Sequence, residues 1–380
     1  MKVVIAIDSF KGSLSSLEAG KAAAEGVRRS IPDAKCVVRP LADGGEGTVD
    51  ALVSGMGGEF REVSVAGPSG RPVVARYGLL PGGTAVMEMA QASGITLVSG
   101  EERNPLLTTT YGVGEMILDA AAQGATRIVM GIGGSATNDG GAGMLQALGF
   151  RLLDAEGNDL PRGGAALARL AKVEPPPTNS TTPSLANFSN LSFRIACDVT
   201  NPLCGPKGAS AVFGPQKGAT PGMVSQLDDA LAHFASVAGG SPDAPGAGAA
   251  GGLGYAFATF LNAELVPGVD LVLQETRLAD AIAGADVVVT GEGRLDGQTA
   301  MGKAPIGVAR LAKRHGARVM AFAGCLGDGV ETLNAAGIDA YFPILRRVVT
   351  LDEALDRGAA AANLADTAEQ VFALLKSASR

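Results

Sequence analysis

The stretch that most constrains the fold lies at residues 286–307, where the apolar run of DVVVTGEGRLDGQTAMGKAPIG ends in glycines, acids and a lysine. Its three consecutive valines, residues 287–289, indicate a strand that is covered on both faces, as in a parallel sheet. Pro305 suits the first turn of a following helix, which Gly316 would end. The pattern therefore predicts a strand over residues 286–290, then a charged loop and a helix, and open α/β sheets bind ligands at such loops.

The same order of strand, charged loop and helix recurs at the start of the chain. Residues 3–7 predict a first strand, and Ser9 and Lys11 follow it in the loop DSFKG. The next predicted strand leads into ADGGEGT, which carries Asp43 and Glu46 to the start of a helix. Two carboxylates three residues apart repel each other unless a cation or a hydroxyl donor neutralises them. This loop therefore predicts a metal or substrate site.

Two further loops of this kind occur in the middle of the chain. The sequence has 54 glycines in 380 residues, about twice the usual share, and many of them stand in these loops. GGSATNDGGAG presents Ser135, Asn138 and Asp139 between a predicted strand and a helix start, and CDVTNPLCGPKGA presents Asp198 and Asn201. Glycine-lined amides at a helix start bind anions, which favours phosphate or carboxylate ligands.

The length of the chain predicts two domains rather than one. Both chain ends carry the strand, loop and helix pattern, whereas the part that follows residue 61 predicts short strands joined by PSG and PGG turns, as in a small antiparallel or mixed sheet. We therefore expect an α/β protein, with a doubly wound domain formed by residues 1–61 plus 284–380 and a second α/β domain, residues 62–283, inserted between them. The sequence leaves open the domain to which residues 106–150 belong and the role of the Pro- and Ser-rich stretch 174–190.

The overall charge argues against nucleic-acid and membrane partners. The net charge is −7 and the pI is about 5.1, whereas DNA, RNA and anionic lipid favour basic surfaces. No apolar run approaches the roughly 18 residues that a membrane helix needs. We therefore expect a cytoplasmic protein that acts on small molecules, and the oligomeric state, including a homo-oligomer, stays open.

The residue types at these loops favour phosphoryl transfer. That reaction needs glycine amides and lysines for the phosphates of the donor, carboxylates for Mg²⁺, and one carboxylate to accept the hydroxyl proton. GQTAMGKA matches the glycine and lysine positions of a P-loop at Lys303, but Ala304 stands where Ser or Thr should hold magnesium. A dehydrogenase is disfavoured, because no GxGxxG follows the first predicted strand.

Six segments, in chain order, resemble the type 1 glycerate kinase family: MKVVIAIDSFKGSLS, PLADGGEGT, GIGGSATNDGGAGM, CDVTNPLCGPKGA, GAGAAGGLG and VVTGEGRLDGQTAMGK. The resemblance runs over about residues 1–375, although the stretch 174–190 is longer than the family pattern leads us to expect. It implies ATP-dependent phosphorylation of D-glycerate at the 2-hydroxyl, with Mg²⁺, in a cleft between two domains. The implied fold is a flavodoxin-like domain from both chain ends, with an inserted domain that resembles restriction enzymes.

The expected roles follow from the residue types within these segments. Asp198 is the leading candidate for the general base, and Lys11 and Asp43 are the other candidate catalytic residues. Candidate metal ligands are Glu46, Glu292 and Asp296. Candidate ligands of substrate or phosphate are Ser9, Ser135, Asn138, Asp139, Asn201, Arg294 and Lys303. The alternative to an enzyme is a catalytically silent sensor that binds glycerate or nucleotide.

Overall fold

A computed structural model describes residues 1–45, 47–176 and 190–378. The chain forms two compact units. The first unit comprises Met1–Asp43, Asp50–Gly57 and Val269–Arg380, and the second comprises Gly44–Val49 and Gly58–Gly268. Residues 106–150 therefore belong to the second unit. The predicted domain bounds and the likeness of the inserted part to restriction enzymes stay predictions.

The strands of the described residues are β1 Lys2–Ile7, β2 Lys35–Val38, β3 Glu59–Ala66, β4 Pro72–Leu80, β5 Thr84–Glu88, β6 Arg127–Gly131, β7 Arg151–Leu153, β8 Lys172–Glu174, β9 Ser192–Ala196, β10 Glu264–Val266, β11 Val287–Leu295, β12 Arg318–Leu326 and β13 Ala340–Pro343.

The α-helices are α1 Ser16–Ser30, α2 Thr48–Met56, α3 Ala90–Ser93, α4 Tyr111–Ala122, α5 Ala142–Ala147, α6 Ala209–Phe213, α7 Pro221–Ala238, α8 Leu253–Phe260, α9 Gly268–Glu275, α10 Leu278–Ile282, α11 Gly297–Ala300, α12 Ala304–Arg314, α13 Thr332–Ala335, α14 Leu351–Leu355 and α15 Arg357–Ala378. Within the described ranges, none of these helices combines the length and the apolar character that crossing a bilayer requires.

The first unit is built on a parallel five-stranded sheet with the order β13-β12-β11-β1-β2. Numbered within this sheet, the order is 2-1-3-4-5, which is that of flavodoxin-like doubly wound sheets. Val288 on β11 packs in one buried cluster with α12, whereas Val287 and Val289 pack in another with α1 and α15. The prediction of a parallel strand covered on both faces is thus confirmed.

The strand β11 runs five residues further than the sequence predicts, to Leu295 rather than to residue 290. Gly291 lies in the sheet at a close approach of β12, where a Cβ would lie 2.0 Å from the carbonyl oxygen of Phe322. This position therefore admits only glycine. Glycine is rare in strands, which is why its position misled the prediction. As a result, Glu292 and Arg294 lie on the strand, paired with β12, and not in the loop.

The second unit contains a mixed six-stranded sheet with the order β10-β9-β6-β5-β4-β3. β4 is antiparallel to both of its neighbours, β3 and β5, whereas β5, β6, β9 and β10 are parallel. Its largest buried cluster joins the sheet to α4, α5, α7 and α8. The carboxyl ends of the parallel strands β6 and β9 are followed by two loops, residues 133–141 and 197–208. The predicted α/β class with parallel sheets is confirmed.

Candidate active site

The first unit has a cavity of about 730 Å³, here called the first cavity, at the carboxyl ends of β1 and β11. It brings together side chains that the sequence places almost 300 residues apart. Seven of the predicted site residues line it, namely Ser9, Lys11, Asp43, Glu292, Arg294, Asp296 and Lys303. Asp8 and Gln298 line it as well, although neither was in the predicted set.

Asp8 directly follows β1 and is the most strongly perturbed carboxyl group of the first cavity. Burial, together with the negative charges of Asp43 and Glu292, raises its pKa to about 7 against the lowering effects of the Ser9 amide and of Lys11. That amide donates a hydrogen bond of 2.6 Å to Asp8 Oδ1. A carboxyl group with a pKa near neutrality can exchange a proton during a reaction. The sequence signal was its place at the end of the first strand.

Glu292 lies on β11 and faces the same cavity. Burial raises the pKa of its carboxyl group, with smaller raising effects from Asp296 and Asp43, whereas the Thr299 hydroxyl and Lys303 lower it. The hydroxyl of Thr299 donates to Glu292 Oε1 at 2.6 Å. Because Thr299 is fully buried, it fixes the orientation of the carboxylate.

The segment that matches the glycine and lysine positions of a P-loop has another geometry. Asp296 is the N-cap of the short helix α11, and its carboxylate accepts hydrogen bonds from the amides of Gln298 and Thr299. The Nε atom of Arg294 lies 3.4 Å from Asp296 Oδ2. Because the residues after Asp296 form a helical turn, they are not the extended glycine cradle of a P-loop. Lys303 stands one turn later, as the N-cap residue of α12.

Two of the three predicted metal ligands, Glu292 and Asp296, are among the described residues. Glu46 lies outside the described residues. Within the described ranges, no group of three or more acidic, histidine or cysteine side chains could hold a metal by itself. Glu292 and Asp296 nevertheless offer carboxylate oxygens in one cavity. This donor set suits Mg²⁺, which usually takes one or two protein carboxylates and shares its other positions between water and phosphate oxygens.

The second unit has its own cavity of about 410 Å³, here called the second cavity, beside the carboxyl ends of β6 and β9. The glycine loop after β6 contributes Gly133, Gly134 and Ser135, and the loop after β9 contributes Asp198. The side chain of Asp198 accepts a hydrogen bond of 2.8 Å from the amide of Gly268. Two predicted site residues, Ser135 and Asp198, therefore share this cavity.

Three other predicted residues of the second unit do not line the second cavity. Asp139 is fully buried, and its carboxylate accepts hydrogen bonds from the amides of Thr110, Gly141 and Gly143 and from the Thr110 hydroxyl. Burial raises the pKa of Asp139 despite these donors. Asn138 is buried too and donates to the Ser210 hydroxyl at 2.9 Å.

Asn201 is the third of these residues, and its side-chain amide donates a hydrogen bond of 2.8 Å to the carbonyl oxygen of Lys207. This bond closes the loop that follows Asp198. The geometry thus gives Asn138, Asp139 and Asn201 bonds inside the protein, and their predicted contact with a ligand stays a prediction.

Lys217 is the residue of the second cavity that sequence reasoning missed. It ends the 3-10 turn Pro215–Lys217, lines the cavity and is 1% exposed. Its ammonium donates a hydrogen bond of 2.6 Å to the carbonyl oxygen of Thr137. A lysine between glycine-rich turns, as in GPQKGA, has the sequence pattern of a surface loop. Its burial therefore could not be predicted from the neighbouring residues.

Comparisons with known proteins agree with one another. The model of the glycerate kinase family matches residues 3–376. The chain is 49% identical over 365 residues to the glycerate 2-kinase of Escherichia coli (strain K12), covering 94% of each protein. It is also 49% identical over 381 residues to the glycerate kinase of Haemophilus influenzae, covering 99% of each. A solved structure, of a candidate glycerate kinase 2 from Salmonella typhimurium LT2, matches with a TM-score of 0.89 and 47% identity over 100% of this chain and 99% of that one.

Proposed function

Because the chain belongs to the glycerate kinase family, we propose that it transfers the γ-phosphoryl group of ATP to the 2-hydroxyl of D-glycerate. The products are 2-phosphoglycerate and ADP. The hydroxyl oxygen forms a bond to the γ-phosphorus, the bond from that phosphorus to the β–γ bridging oxygen breaks, and the hydroxyl proton passes to a carboxylate of the protein.

The composition of the first cavity carries this proposal. Lys11, Arg294 and Lys303 line it together with carboxylates. Three cations suit the triphosphate of a nucleotide, which carries its charge on several oxygens, and the carboxylates suit the metal that accompanies it. In this assignment Lys11 and Lys303 neutralise phosphate charge, and Ser9 donates a hydrogen bond to a phosphate oxygen.

Glu292 and Asp296 are the proposed ligands of Mg²⁺ among the described residues, and Glu46 is a further candidate outside them. The ion, when bound, withdraws charge from the β- and γ-phosphates and thereby stabilises the transition state. Thr299 holds Glu292 at its Oε1, which leaves the other oxygen of this carboxylate for the metal. Asp43 lines the same cavity and adds negative charge beside these groups.

Asp198 is the proposed acceptor of the hydroxyl proton. It is an exposed carboxylate on the second cavity, oriented by the Gly268 amide at Oδ1. An Asp→Asn change at a general base lowers turnover by about 10²–10⁴-fold, with a much smaller effect on substrate affinity. We expect this pattern for Asp198→Asn. Asp229→Asn, an exposed aspartate on α7, is the matched control and keeps full turnover.

The experiment that tests the function is ³¹P NMR of the product formed from ATP, Mg²⁺ and D-glycerate, with ADP release measured in parallel. A new phosphate monoester at C2 is expected. Phosphate at C3 would overturn the 2-hydroxyl assignment, and absence of ADP release with binding intact would instead favour the silent sensor. An unchanged turnover in Asp198→Asn would overturn only the assignment of the base.

Several expectations stay predictions at this point. They are the cleft between two domains as the place of the reaction, a cytoplasmic location, the absence of nucleic-acid and membrane partners, and the oligomeric state. None of them is needed for the NMR experiment or for the test of Asp198.

A further inference from the structure

We propose that the second cavity binds the carboxylate of D-glycerate, and that Lys217 is its main charged ligand, assisted by Ser135 and the amides of the glycine loop. This inference rests on the proposed function, because it names the site at which the acid group of that substrate is held. It assigns a binding role to a lysine that the sequence motifs did not point to.

The first argument is the burial of Lys217 without a carboxylate in ion-pair contact. The side chain is 1% exposed, and taking an ammonium group out of water is costly unless an anion and hydrogen-bond acceptors compensate it. Its ammonium has three N–H donors, and one of them reaches an acceptor in the part of the chain that the structure describes, the carbonyl oxygen of Thr137. Lys217 forms no ion pair with a carboxylate of those residues. A substrate carboxylate supplies what the site lacks.

The second argument is the glycine loop beside Lys217. The amides of Gly133, Gly134 and Ser135 donate to no acceptor within the described ranges, although all three residues line the cavity. The Ser135 side chain is 8% exposed and brings a hydroxyl donor to the same wall. Several unused amides and a hydroxyl beside a buried ammonium form a typical receptor for a small anion.

The third argument is the position of Asp198 on the same cavity. Two carboxylates repel each other, so the acid group of a bound hydroxy acid is placed away from Asp198 and at the Lys217 wall. The hydroxyl groups then lie towards Asp198, which accepts the proton in the proposed reaction. One orientation of D-glycerate therefore satisfies both ends of the cavity.

The charge state of Lys217 supports the same role. Burial, only partly offset by the negative charge of Asp139, lowers the pKa of its ammonium to about 7. Asp198 and the Cys197 thiol, whose pKa is raised by burial, line the same cavity, and Arg103 packs against the turn at the neighbouring Gly218. A carboxylate ligand favours the protonated form, so binding of D-glycerate raises the pKa of Lys217 and draws a proton from solvent above pH 7.

The decisive experiment compares D-glycerate binding by wild type, Lys217→Met and Lys217→Arg, measured calorimetrically at pH 6 and pH 8. Wild type binds more weakly at pH 8, because Lys217 must first be protonated. Lys217→Met binds at least about 100-fold more weakly at pH 6, as expected when one partner of a buried charge pair is removed. Lys217→Arg keeps its charge at both values, so it binds with less pH dependence than wild type.

Two controls separate binding from structure. Lys207→Met removes an exposed lysine of the second unit and leaves D-glycerate binding unchanged. ATP affinity reports on folding: it stays within twofold of wild type in a folded Lys217→Met protein. Unchanged D-glycerate affinity in a folded Lys217→Met protein overturns the inference.

A measurement on the wild type covers the case in which Lys217→Met does not fold. Calorimetry in two buffers of different ionisation enthalpy gives the protons taken up on D-glycerate binding. We expect nearly one proton at pH 8 and much less at pH 6. No uptake at pH 8 overturns proton-linked binding at Lys217, whereas a wild type that neither binds nor phosphorylates D-glycerate overturns the proposed function itself.

Discussion

Thr299 holds Glu292 by a hydrogen bond of 2.6 Å from its hydroxyl to the Oε1 atom of the carboxylate. The same hydroxyl accepts a bond of 3.2 Å from the amide of Asp296. The Thr299 hydroxyl therefore joins β11 to the first turn of α11: it orients the carboxylate of Glu292 and holds the backbone of Asp296, the two residues that we propose as metal ligands.

Loss of the Thr299 hydroxyl is expected to weaken the metal site. Thr299→Val keeps the shape of the side chain but leaves Glu292 without its donor, and losing such an orienting partner typically costs about 10–100-fold in metal affinity. The free Mg²⁺ concentration for half-maximal turnover should rise by this factor. Thr299→Ser retains the hydroxyl and is the control with near-normal Mg²⁺ dependence. Equal Mg²⁺ requirements in all three proteins would contradict the role of Glu292.

Because of Asp8, the free energy of unfolding of metal-free protein is expected to fall as the pH rises from about 4 to about 7. Its pKa is raised from 3.8 to about 7 in the folded state. In that window the folded state holds a proton that the unfolded state has lost, so the free energy of unfolding falls as pH rises. Asp8→Asn removes this effect and should be roughly 2–4 kcal/mol more stable than wild type at pH 8, with little difference at low pH.

Urea unfolding of wild type and Asp8→Asn at pH 4 and pH 8, with a chelator present, checks this prediction. Asp33→Asn, on an exposed aspartate of the first unit, is the control and should follow wild type at both values. A constant difference between wild type and Asp8→Asn at the two values would show that folding does not raise the pKa of Asp8.

Asp139 and Ser135 lie in the same glycine loop but are expected to respond differently to truncation. Asp139→Ala leaves buried donors of Thr110, Gly141 and Gly143 without an acceptor and should cost about 3–5 kcal/mol of stability. Ser135→Ala should change stability by less than about 0.5 kcal/mol and raise the KM for D-glycerate. Thermal unfolding and steady-state kinetics separate the two, and a stable Asp139→Ala protein with raised KM would restore Asp139 as a ligand residue.

Gly26 on α1 is expected to tolerate no side chain. A Cβ there would lie 2.0 Å from the carbonyl oxygen of Ala365 on α15, so Gly26→Ala must force these helices apart, at about 2–4 kcal/mol. A Cβ at Gly222 on α7 would instead meet no heavy atom of the described residues within 4 Å. Gly222→Ala should therefore be neutral or stabilising by up to about 1 kcal/mol. Thermal unfolding compares the two variants, and equal stabilities would contradict this packing of α1 on α15.

Local patterns were sufficient for the elements whose residues report their own environment. The three valines of β11 lie in a buried strand, as the sequence predicts. The ends of strands were harder to predict beside glycine, because a glycine can either end a strand or permit close contact with its neighbour. Gly291 of β11 permits close contact and does not end the strand. The loop residues after β1 and β11 were identified because charged side chains recur at strand ends.

Local sequence patterns could not predict which single polar residues are buried. Asp139 and Ser135 stand four positions apart in one glycine loop, yet one carboxylate is enclosed by amides and the other side chain lines a cavity. Lys217 has the local sequence of a surface turn but is covered by the second unit. Which neighbour encloses a residue depends on chain segments far away in sequence.

The sequence by itself determined the α/β class and the loops in which acids, lysines and glycines collect, because periodicity and strand-end chemistry are properties of adjacent residues. The family resemblance likewise rested on six short segments of adjacent residues. Only the tertiary structure decided which of those side chains share a cavity, that Asp8 has a pKa near 7, and that Lys217 is a buried cation. These properties arise from burial and from charges on distant segments, and such long-range contacts exist only once the chain has folded.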